Sequence, residues 1–405
     1  MTSLIPLKAM VARSDRADDI VAPQFDSPFG EERYGFAVSS PDSFMNVVLS
    51  VADFPEPYPT RGDTARRASR HFKGMVERGL FESLPGQAFF LYEIATAGHR
   101  QLGIVGGVPV NAIDQGKILG HEGTFQERVD DLVRFMQEAR MSSGLVTLGY
   151  PADPAHLEMM GRLASSSPLR DCTDQGGIRH RLWAVTDHSD LVDIQATFGR
   201  IRTLYIIDGH HRVAAARRLG HSPGWFLAAL FPTDQLLLRE YNRVINLDQL
   251  LPPEEISRMA AGDWEISEIG RAGSVEAMPN RPGEMAMLLN GVWYRLVFQG
   301  RRPNDPVDSI DVSLLHQLIL GPIFGLRSYD DPSISYVPGE GSTLPFESWV
   351  DPAEAVGFAL YPTSMDEVVK VAEAGREMPP KSTWFIPKPG SGLVVVRWDQ
   401  SSRSD

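Results

Sequence analysis

The chain has 405 residues, enough for two or three domains, and its 42% hydrophobic and 22% charged content is typical of a globular protein. A formal net charge of −13 argues against a general nucleic-acid binder and against a protein that binds anionic membranes. The single cysteine excludes an intramolecular disulfide. Together with the lack of an apolar leader or an 18-residue apolar run, it predicts a cytoplasmic protein without a membrane span.

Local patterns predict a mixed α+β chain in three regions. Residues 1–115 form an N-terminal α+β region, residues 116–235 a nucleotide-binding core, and residues 236–405 a C-terminal α+β region. The predicted strands outside the core are Asn46–Val51, Ala88–Thr96, Gly291–Phe298, Ala355–Tyr361 and Gly392–Trp398. The predicted helices there are Thr64–Arg78, Val312–Leu320 and Met365–Ala374. Within the core, GGIRHRLWAVTD predicts a strand, and the terminal SSRSD is expected to be disordered.

The first stretch with candidate catalytic residues is HEGTFQERVDDLVRFMQEAR, which begins at His121. Thr124 followed by Glu127 is a capping-box pattern, which predicts a helix beginning near Phe125 with one apolar face. Glu122 then precedes the positive pole of a helix, which favours its ionised form, and a carboxylate in a cleft can accept a proton from a hydroxyl. The alternative is that Glu122 only balances the helix dipole at the surface. The stretch is not an HExxH zinc motif, because Phe125 stands where the second histidine is needed.

The second such stretch is YIIDGHHRVAAARRLG at 205–220. An apolar strand over 203–207 should end at Asp208, and a helix should run over 213–219, with Asp208 and Gly209 as the turn between them. Backbone N–H groups at such a turn attract phosphate, and Arg212 can grip phosphate oxygens with two hydrogen bonds. The alternative is that Asp208 merely caps the helix and the histidines are surface residues.

The third stretch is MPPKSTWFIPKPGSGL at 378–393, which holds two of only six lysines. Its prolines favour a rigid irregular loop, in which Lys381, beside Ser382 and Thr383, could bind a carboxylate or phosphoryl group. The alternative is a packed connector with solvated lysines. Two smaller motifs have equally open interpretations: the hydroxyls of YPTSM could only cap the following helix, and APQFD could line a pocket with Asp26 or form a capped turn.

An HE-x-T segment before an amphipathic helix, followed by a strand that ends in DGHHR and a helix, resembles the ParB/sulfiredoxin-like superfamily. Within it, the pattern is most similar to the free-serine kinases, which phosphorylate the hydroxyl of L-serine. The whole chain resembles the family labelled domain of unknown function 1015 over nearly its full length. The shared motifs are APQFD, the HE segment, DGHHR, YNRV at 241–244, DVSLLHQLILGPIFG at 311–325, and YPTSM through MPPKSTWFIPKPGSGL. Roughly 80 residues separate the HE segment from DGHHR, more than in the serine kinases, which implies an elaborated core.

The resemblance implies a kinase that transfers a phosphoryl group from a nucleotide, ATP or ADP, to a small hydroxyl compound such as free L-serine, with Mg²⁺. It implies Glu122 as the catalytic base and a phosphate-binding DGHHR turn. The candidate residues are Glu122 and Asp208 for catalysis, Gly209, His210, His211 and Arg212 for the nucleotide phosphates, and His121, Thr124, Arg128, Lys381, Ser382 and Thr383 for the acceptor. Two other interpretations are open: a nucleotide-binding regulator similar to the ParB CTP switches, and a phosphatase that uses the same phosphate site.

Overall fold

The computed structural model describes residues 4–23, 30–220, 224–273, 276–339 and 346–398. These residues form a mixed α+β fold, as predicted. The motif residue Asp26 and the terminal SSRSD lie outside the described residues, and so do their predictions. Within the described ranges, each helix is too short or too polar to cross a lipid bilayer.

The strands are, in chain order, β1 Met10–Ala12, β2 Phe81–Ser83, β3 Phe89–Ala95, β4 Arg100–Pro109, β5 Ile118–Leu119, β6 Met141–Ser142, β7 Val146–Tyr150, β8 Arg170–Thr173, β9 Arg179–Val185, β10 Leu204–Asp208, β11 Trp225–Pro232, β12 Leu237–Arg239, β13 Tyr241–Asn246, β14 Trp264–Arg271, β15 Glu284–Leu289, β16 Val292–Phe298, β17 Ile334–Pro338, β18 Ala355–Leu360, β19 Trp384–Ile386 and β20 Val394–Arg397. The α-helices are α1 Ala17–Ile20, α2 Gly30–Ser39, α3 Met45–Val48, α4 Arg61–Glu77, α5 Asn111–Asp114, α6 Gln126–Ala139, α7 Pro154–Leu163, α8 His188–Phe198, α9 His210–Leu219, α10 Pro253–Ala260, α11 Asp311–Leu315, α12 Gly321–Phe324 and α13 Met365–Glu373.

The chain divides into two compact units. Unit 1 comprises Met1–Gly120, Thr124–Leu237 and Pro387–Asp405. Its main sheet has the strand order β5-β10-β7-β11-β4-β3-β9-β8, and a second sheet has the order β2-β1-β20-β6. The central strands of the main sheet carry apolar side chains on both faces, and two large apolar clusters are formed around them. β3 is accordingly buried along nearly its whole length rather than at alternate positions.

Unit 2 comprises His121–Gly123 and Leu238–Ile386. Its sheet has the order β14-β16-β15-β18-β13-β17, and neighbouring strands are antiparallel. The predicted helix over 312–320 is interrupted: α11 continues as one π-helical stretch, His316–Leu320, before α12.

Most predicted elements are confirmed within a few residues, including the strand in GGIRHRLWAVTD, which is β9. The predicted strand Asn46–Val51 is wrong, because this segment forms α3 and a 3₁₀ turn at Val51–Asp53. The amide of Asn46 donates to the carbonyls of Ala37 and Ser40, and that tertiary anchoring overrides the local apolar pattern. The predicted three-region division also differs from the structure, in which the core residues share unit 1 with the N-terminal region and with the end of the chain.

Candidate functional site

The DGHHR turn connects β10 to α9 in unit 1. The predicted turn is confirmed, but the helix begins at His210, three residues earlier than predicted. Gly209 is the N-cap residue at φ +101°, a backbone conformation that favours glycine, and no side chain caps the helix. Because the N–H groups of a first helical turn have no partner within the helix, α9 presents an open, positively polarised N-terminus.

Glycines allow the side chains of this turn to pack closely. A Cβ atom at Gly209 would lie 2.8 Å from Nε of Arg212, and one at Gly144 would lie 3.2 Å from its Cδ. A Cβ atom at Gly120 would lie 3.1 Å from Cδ2 of the buried His210. The arginine and the histidine are therefore held in defined positions by backbone that approaches from neighbouring loops.

Asp208 is the acidic centre of the turn. Its carboxylate pairs with Nη2 of Arg212 and lies 3.6 Å from Nζ of Lys388. Burial acts to raise the pKa of Asp208, but the charges of Lys388, Arg212 and His210 outweigh it and lower the pKa to about 2. Two cationic side chains therefore lie beside this carboxylate at the start of α9. Asp208 does not cap the helix, so that alternative interpretation is wrong.

Two buried polar atoms near this carboxylate have no hydrogen-bond partner among the described residues. One is Nε of Arg212, and the other is Oγ1 of Thr147, whose residue stands opposite Asp208 in the β7–β10 ladder. Buried polar groups are nearly always satisfied in proteins, by protein atoms, water or a ligand. Both atoms therefore retain hydrogen-bonding capacity close to Asp208.

The start of α6 lies beside the start of α9. The backbone N–H of Phe125 donates to Nε2 of His211 over 3.0 Å, and the two rings stack with centroids 5.9 Å apart. Burial lowers the pKa of His211, and Arg128 and Arg212 lower it further, which favours the neutral ring that this hydrogen bond requires. The N-termini of α6 and α9 are therefore adjacent in unit 1.

The predicted capping box at Thr124 is wrong. The N-cap residue of α6 is Phe125, and no side chain caps that helix either. The bond from Phe125 to His211 fixes the backbone one residue later than the T-x-x-E pattern predicts. Phe125 was also predicted on the apolar face, but it is 55% exposed. Thr124 and Arg128 are exposed, and the guanidinium of Arg128 lies 5.6 Å from the Phe125 ring centroid.

The HE segment contacts the C-terminal loop in unit 2. The fully buried His121 places Nε2 3.4 Å from Oγ1 of Thr383, and its carbonyl accepts a hydrogen bond of 2.8 Å from the N–H of Met378. Glu122 is partly exposed, with a carboxylate oxygen 3.9 Å from the same Nε2 of His121. Three of the predicted residues, His121, Glu122 and Thr383, are thus neighbours.

Lys381 and Ser382 have different environments in this loop. Lys381 is exposed and adopts φ +57°, and its amine lies 5.0 Å from the ring centroid of Tyr241. Ser382 is buried, and its hydroxyl donates to the carbonyl of Pro379 over 2.6 Å. The Ser382 hydroxyl therefore stabilises the loop through a hydrogen bond within it. In YPTSM, Ser364 caps α13, as one of the two interpretations predicted.

The chain matches the family described as "Protein of unknown function (DUF1015)" over residues 4–313, well over half of its length. The chain belongs to the DUF1015 family. The predicted family is therefore confirmed, although the match ends before the MPPKSTWFIPKPGSGL segment. No curated protein matches the chain.

Several solved structures are similar to this DUF1015 chain at low identity. "SbnI with C-terminal truncation from Staphylococcus aureus" is 13% identical with a TM-score of 0.39, over 71% of this chain and 85% of that one. A mutant free serine kinase in complex with ADP is 13% identical with a TM-score of 0.33, over 72% and 92%. A conserved hypothetical protein from Pyrococcus furiosus is 11% identical with a TM-score of 0.32, over 73% and 95%. At these scores, function has to be argued from the residues themselves.

Lys388 is a neighbour of the DGHHR turn that the sequence analysis did not select. The scarcity of lysine pointed to this loop, but the choice fell on Lys381. Proximity to Asp208 is a tertiary property that the local pattern around Lys388 does not encode. The close approach of Gly120 and Gly144 to the turn was missed for the same reason.

The predicted Mg²⁺ has no protein-built site among the described residues, where no group of three or more histidine, cysteine or carboxylate side chains could hold a metal ion. The carboxylate of Asp208 faces cations from Arg212 and Lys388. Their presence disfavours a divalent cation at this carboxylate, so these residues do not form a resident magnesium site.

Proposed function

We propose that this DUF1015 protein is a nucleotide-dependent phosphotransferase that acts on a small hydroxyl compound and binds the donor phosphates at the DGHHR turn. The observation that carries the proposal is the start of α9. The helix begins after Gly209 without a side-chain cap and with Arg212 and Lys388 beside it. A helix N-terminus with cationic side chains beside it is an arrangement that binds phosphate in proteins.

Each residue of the turn has a proposed part. Gly209, His210 and His211 are proposed to contact the phosphate oxygens, and Nε of Arg212, which has no partner among the described residues, is proposed as a further donor. Asp208 holds the Arg212 guanidinium in place before a ligand binds. A pre-oriented guanidinium stabilises the charge of a transferring phosphoryl group without a reorganisation cost.

We propose Glu122 as the base that accepts the proton of the acceptor hydroxyl. Its carboxylate is only partly exposed, and it lies beside the buried His121, which Thr383 helps to orient. A positioned carboxylate near a hydroxyl is the usual requirement for general base catalysis. Lys381 is exposed in the same unit and is proposed to contact an anionic group of the acceptor.

We propose ATP or ADP as the donor and free L-serine as the first acceptor to test. Magnesium would enter with the nucleotide, since Mg²⁺ is commonly bound through substrate phosphates rather than by an all-protein site. This agrees with the lack of a metal cluster among the described residues.

The test is to incubate the purified protein with ATP, ADP or CTP and a panel of hydroxy amino acids that includes L-serine, and to identify products by mass spectrometry. The expected result is one phosphorylated hydroxy compound whose formation depends on the nucleotide. The Arg212→Ala variant should abolish the product, whereas Arg218→Ala, at the other end of α9, should form it. Tight nucleotide binding without any product would instead favour a nucleotide-binding regulator, and release of phosphate from a phosphorylated compound would favour a phosphatase.

A further inference from the structure

The loop that carries Lys388 is anchored on both sides of that residue. Nε2 of the buried Gln101 donates to the carbonyl of Pro387 over 3.2 Å. On the other side, the N–H of Gly390 donates to the hydroxyl of Tyr92 over 3.0 Å. The backbone of this segment is therefore tied to β3 and β4 of the main sheet in unit 1.

The anchor at Tyr92 continues into a buried chain of polar groups. The Tyr92 hydroxyl lies 2.8 Å from Nδ1 of His180, and Nε2 of His180 lies 3.2 Å from Oδ2 of Asp174. The other carboxylate oxygen of Asp174 accepts from the N–H groups of Gly176 and Ile178, each over 2.9 Å. Tyr92 and His180 are fully buried, and Asp174 is 4% exposed.

One set of hydrogen-bond directions satisfies every group of this network. The Tyr92 oxygen accepts from the N–H of Gly390 and its proton points to Nδ1 of His180, while the His180 proton is on Nε2 and points to Asp174. A fully connected buried network of this kind rigidifies the backbone that it holds.

The fit of the loop against this network is close. A Cβ atom at Gly390 would lie 2.6 Å from Cγ1 of Val21 and 3.2 Å from Cε1 of His180. Lys388, two residues before Gly390 and between two prolines, is only 17% exposed at its side chain, and its amine lies 3.6 Å from Oδ1 of Asp208. The prolines restrict the backbone between the anchor and the lysine.

We propose that the Asp174–His180–Tyr92 network positions Lys388 at the DGHHR turn, where Lys388 is a phosphate-binding residue alongside Arg212. The phosphate-binding part rests on the proposed function. Filling this space with apolar groups would avoid the desolvation of buried polar atoms, so a network that ends on the backbone beside Lys388 has a use beyond packing. Tyr92, His180 and Asp174 are positioning residues.

The positioning part can be tested without any ligand. Competitive acetylation, followed by mass spectrometry, measures the reactivity of Lys388 against Lys370, an exposed lysine of α13, in the same molecule. In the parent protein Lys388 should react slowly, because it is largely buried beside a carboxylate. Tyr92→Phe removes the hydroxyl that holds Gly390, and the Lys388 to Lys370 ratio should rise several-fold.

The matched control is Tyr150→Phe. Tyr150 is as buried as Tyr92 and lies in the same sheet, but within the described ranges its hydroxyl donates only to the sulfur of Met160, at 4.0 Å. A general loss of stability would raise the ratio in both variants, whereas a positioning role raises it only in Tyr92→Phe. An unchanged ratio in Tyr92→Phe overturns the positioning role. If Tyr92→Phe does not fold, Gln101→Ala tests the other anchor with the same readout.

The binding part is tested by the affinities of ATP and pyrophosphate for Lys388→Met, measured by calorimetry. The expected result is a Kd raised by roughly tenfold or more for both probes, with Lys370→Met as the control at its parent value. An unchanged Kd in Lys388→Met beside a large loss in Arg212→Ala overturns this inference and leaves the proposed function standing. A parent protein that binds neither probe overturns the proposed function and the phosphate role of Lys388 together, and the acetylation ratio then decides the positioning role alone.

Discussion

Two helices of unit 1 follow a strand of the same sheet and an aspartate, yet they begin in different ways. At the start of α8, Asp187 is the N-cap residue, and its carboxylate accepts hydrogen bonds from the N–H groups of Ser189 and Asp190. At the start of α9, Asp208 is one residue further from the helix, because Gly209 occupies the N-cap position. A single glycine between the aspartate and the helix therefore separates an aspartate that caps its helix from one that does not.

The electrostatic consequences of this difference are opposite. The hydrogen bond from the Ser189 hydroxyl, followed by the backbone N–H groups, lowers the pKa of Asp187, so its charge is used by its own helix. The pKa of Asp208 is lowered instead by the charges of Lys388 and Arg212, with which its carboxylate interacts. Cationic side chains therefore lie at the start of α9, whereas the first turn of α8 is capped by its own aspartate.

Glu122 also precedes a helix in the chain. The first prediction tests whether it has a functional role, as proposed for Asp208, or only stabilises the helix, as Asp187 does. If Glu122 is the catalytic base, Glu122→Gln should lower turnover by roughly 10²–10⁴-fold, the usual contribution of general base catalysis, with little change in nucleotide affinity. Turnover and melting temperature are measured on the same variant. Full activity with only a small fall in melting temperature would place Glu122 with Asp187 and refute the base role.

The second prediction tests whether the open start of α9 binds phosphate. Arg212→Ala removes a charged donor, and loss of such a contact costs a few kcal/mol, which is roughly a 100-fold rise in nucleotide Kd by calorimetry. Arg218→Ala is the matched control, because Arg218 lies on the same helix and pairs with Asp130 near its other end. Equal affinities in the parent and Arg212→Ala would remove the basis for calling this turn a phosphate site.

The sequence predicts those features of α9 and its neighbours that depend on residues close together in the chain, and it fails for those that depend on distant residues. The strand, the DG turn and the following helix are local features, so β-branched residues and good helix formers predicted them correctly. The capping box at Thr124 failed because His211, 86 positions away, binds the N–H of Phe125. A contact of that kind overrides a four-residue pattern.

The same limit applies to the choice between the two lysines of the C-terminal loop. Composition predicted that an amine was needed there, but both lysines stand in similar proline-rich surroundings. The return of Pro387–Asp405 to unit 1 decides which lysine meets Asp208, and that return depends on the pairing of β20 with β1. Register between distant strands is set by the assembled core rather than by either segment alone.

The third prediction uses the low pKa of Asp208. The pKa in the folded protein is about 2, below the ordinary value of 3.8, so the paired carboxylate contributes stability that is present above pH 4. This stability is lost as the pH falls through the folded-state pKa. Urea unfolding at pH 5 and pH 3 should show a steeper acid loss in the parent than in Asp208→Asn, by about 1 kcal/mol, because at pH 3 this carboxyl is largely protonated in the unfolded chain but still ionised in the folded protein. Identical pH dependence in the two proteins would show that the pairs with Lys388 and Arg212 do not form.

The smallest expected effect comes from removing the side-chain cap of α8, which leaves its N-terminus uncapped like that of α9. Asp187→Ala removes a cap, so the melting temperature should fall by about 2–4 °C, while Asp187→Asn, which can still cap, should retain it. If an uncapped N-terminus were sufficient to bind phosphates, Asp187→Ala should also gain a second nucleotide site. We expect no such gain, because the first turn of α8 contains Asp190, and the nearby Arg162 already pairs with it. Calorimetry at saturating ATP counts the sites per chain. A stoichiometry that rises in Asp187→Ala would mean that the helix terminus alone binds the nucleotide, and that the cations around Asp208 are not what distinguishes α9.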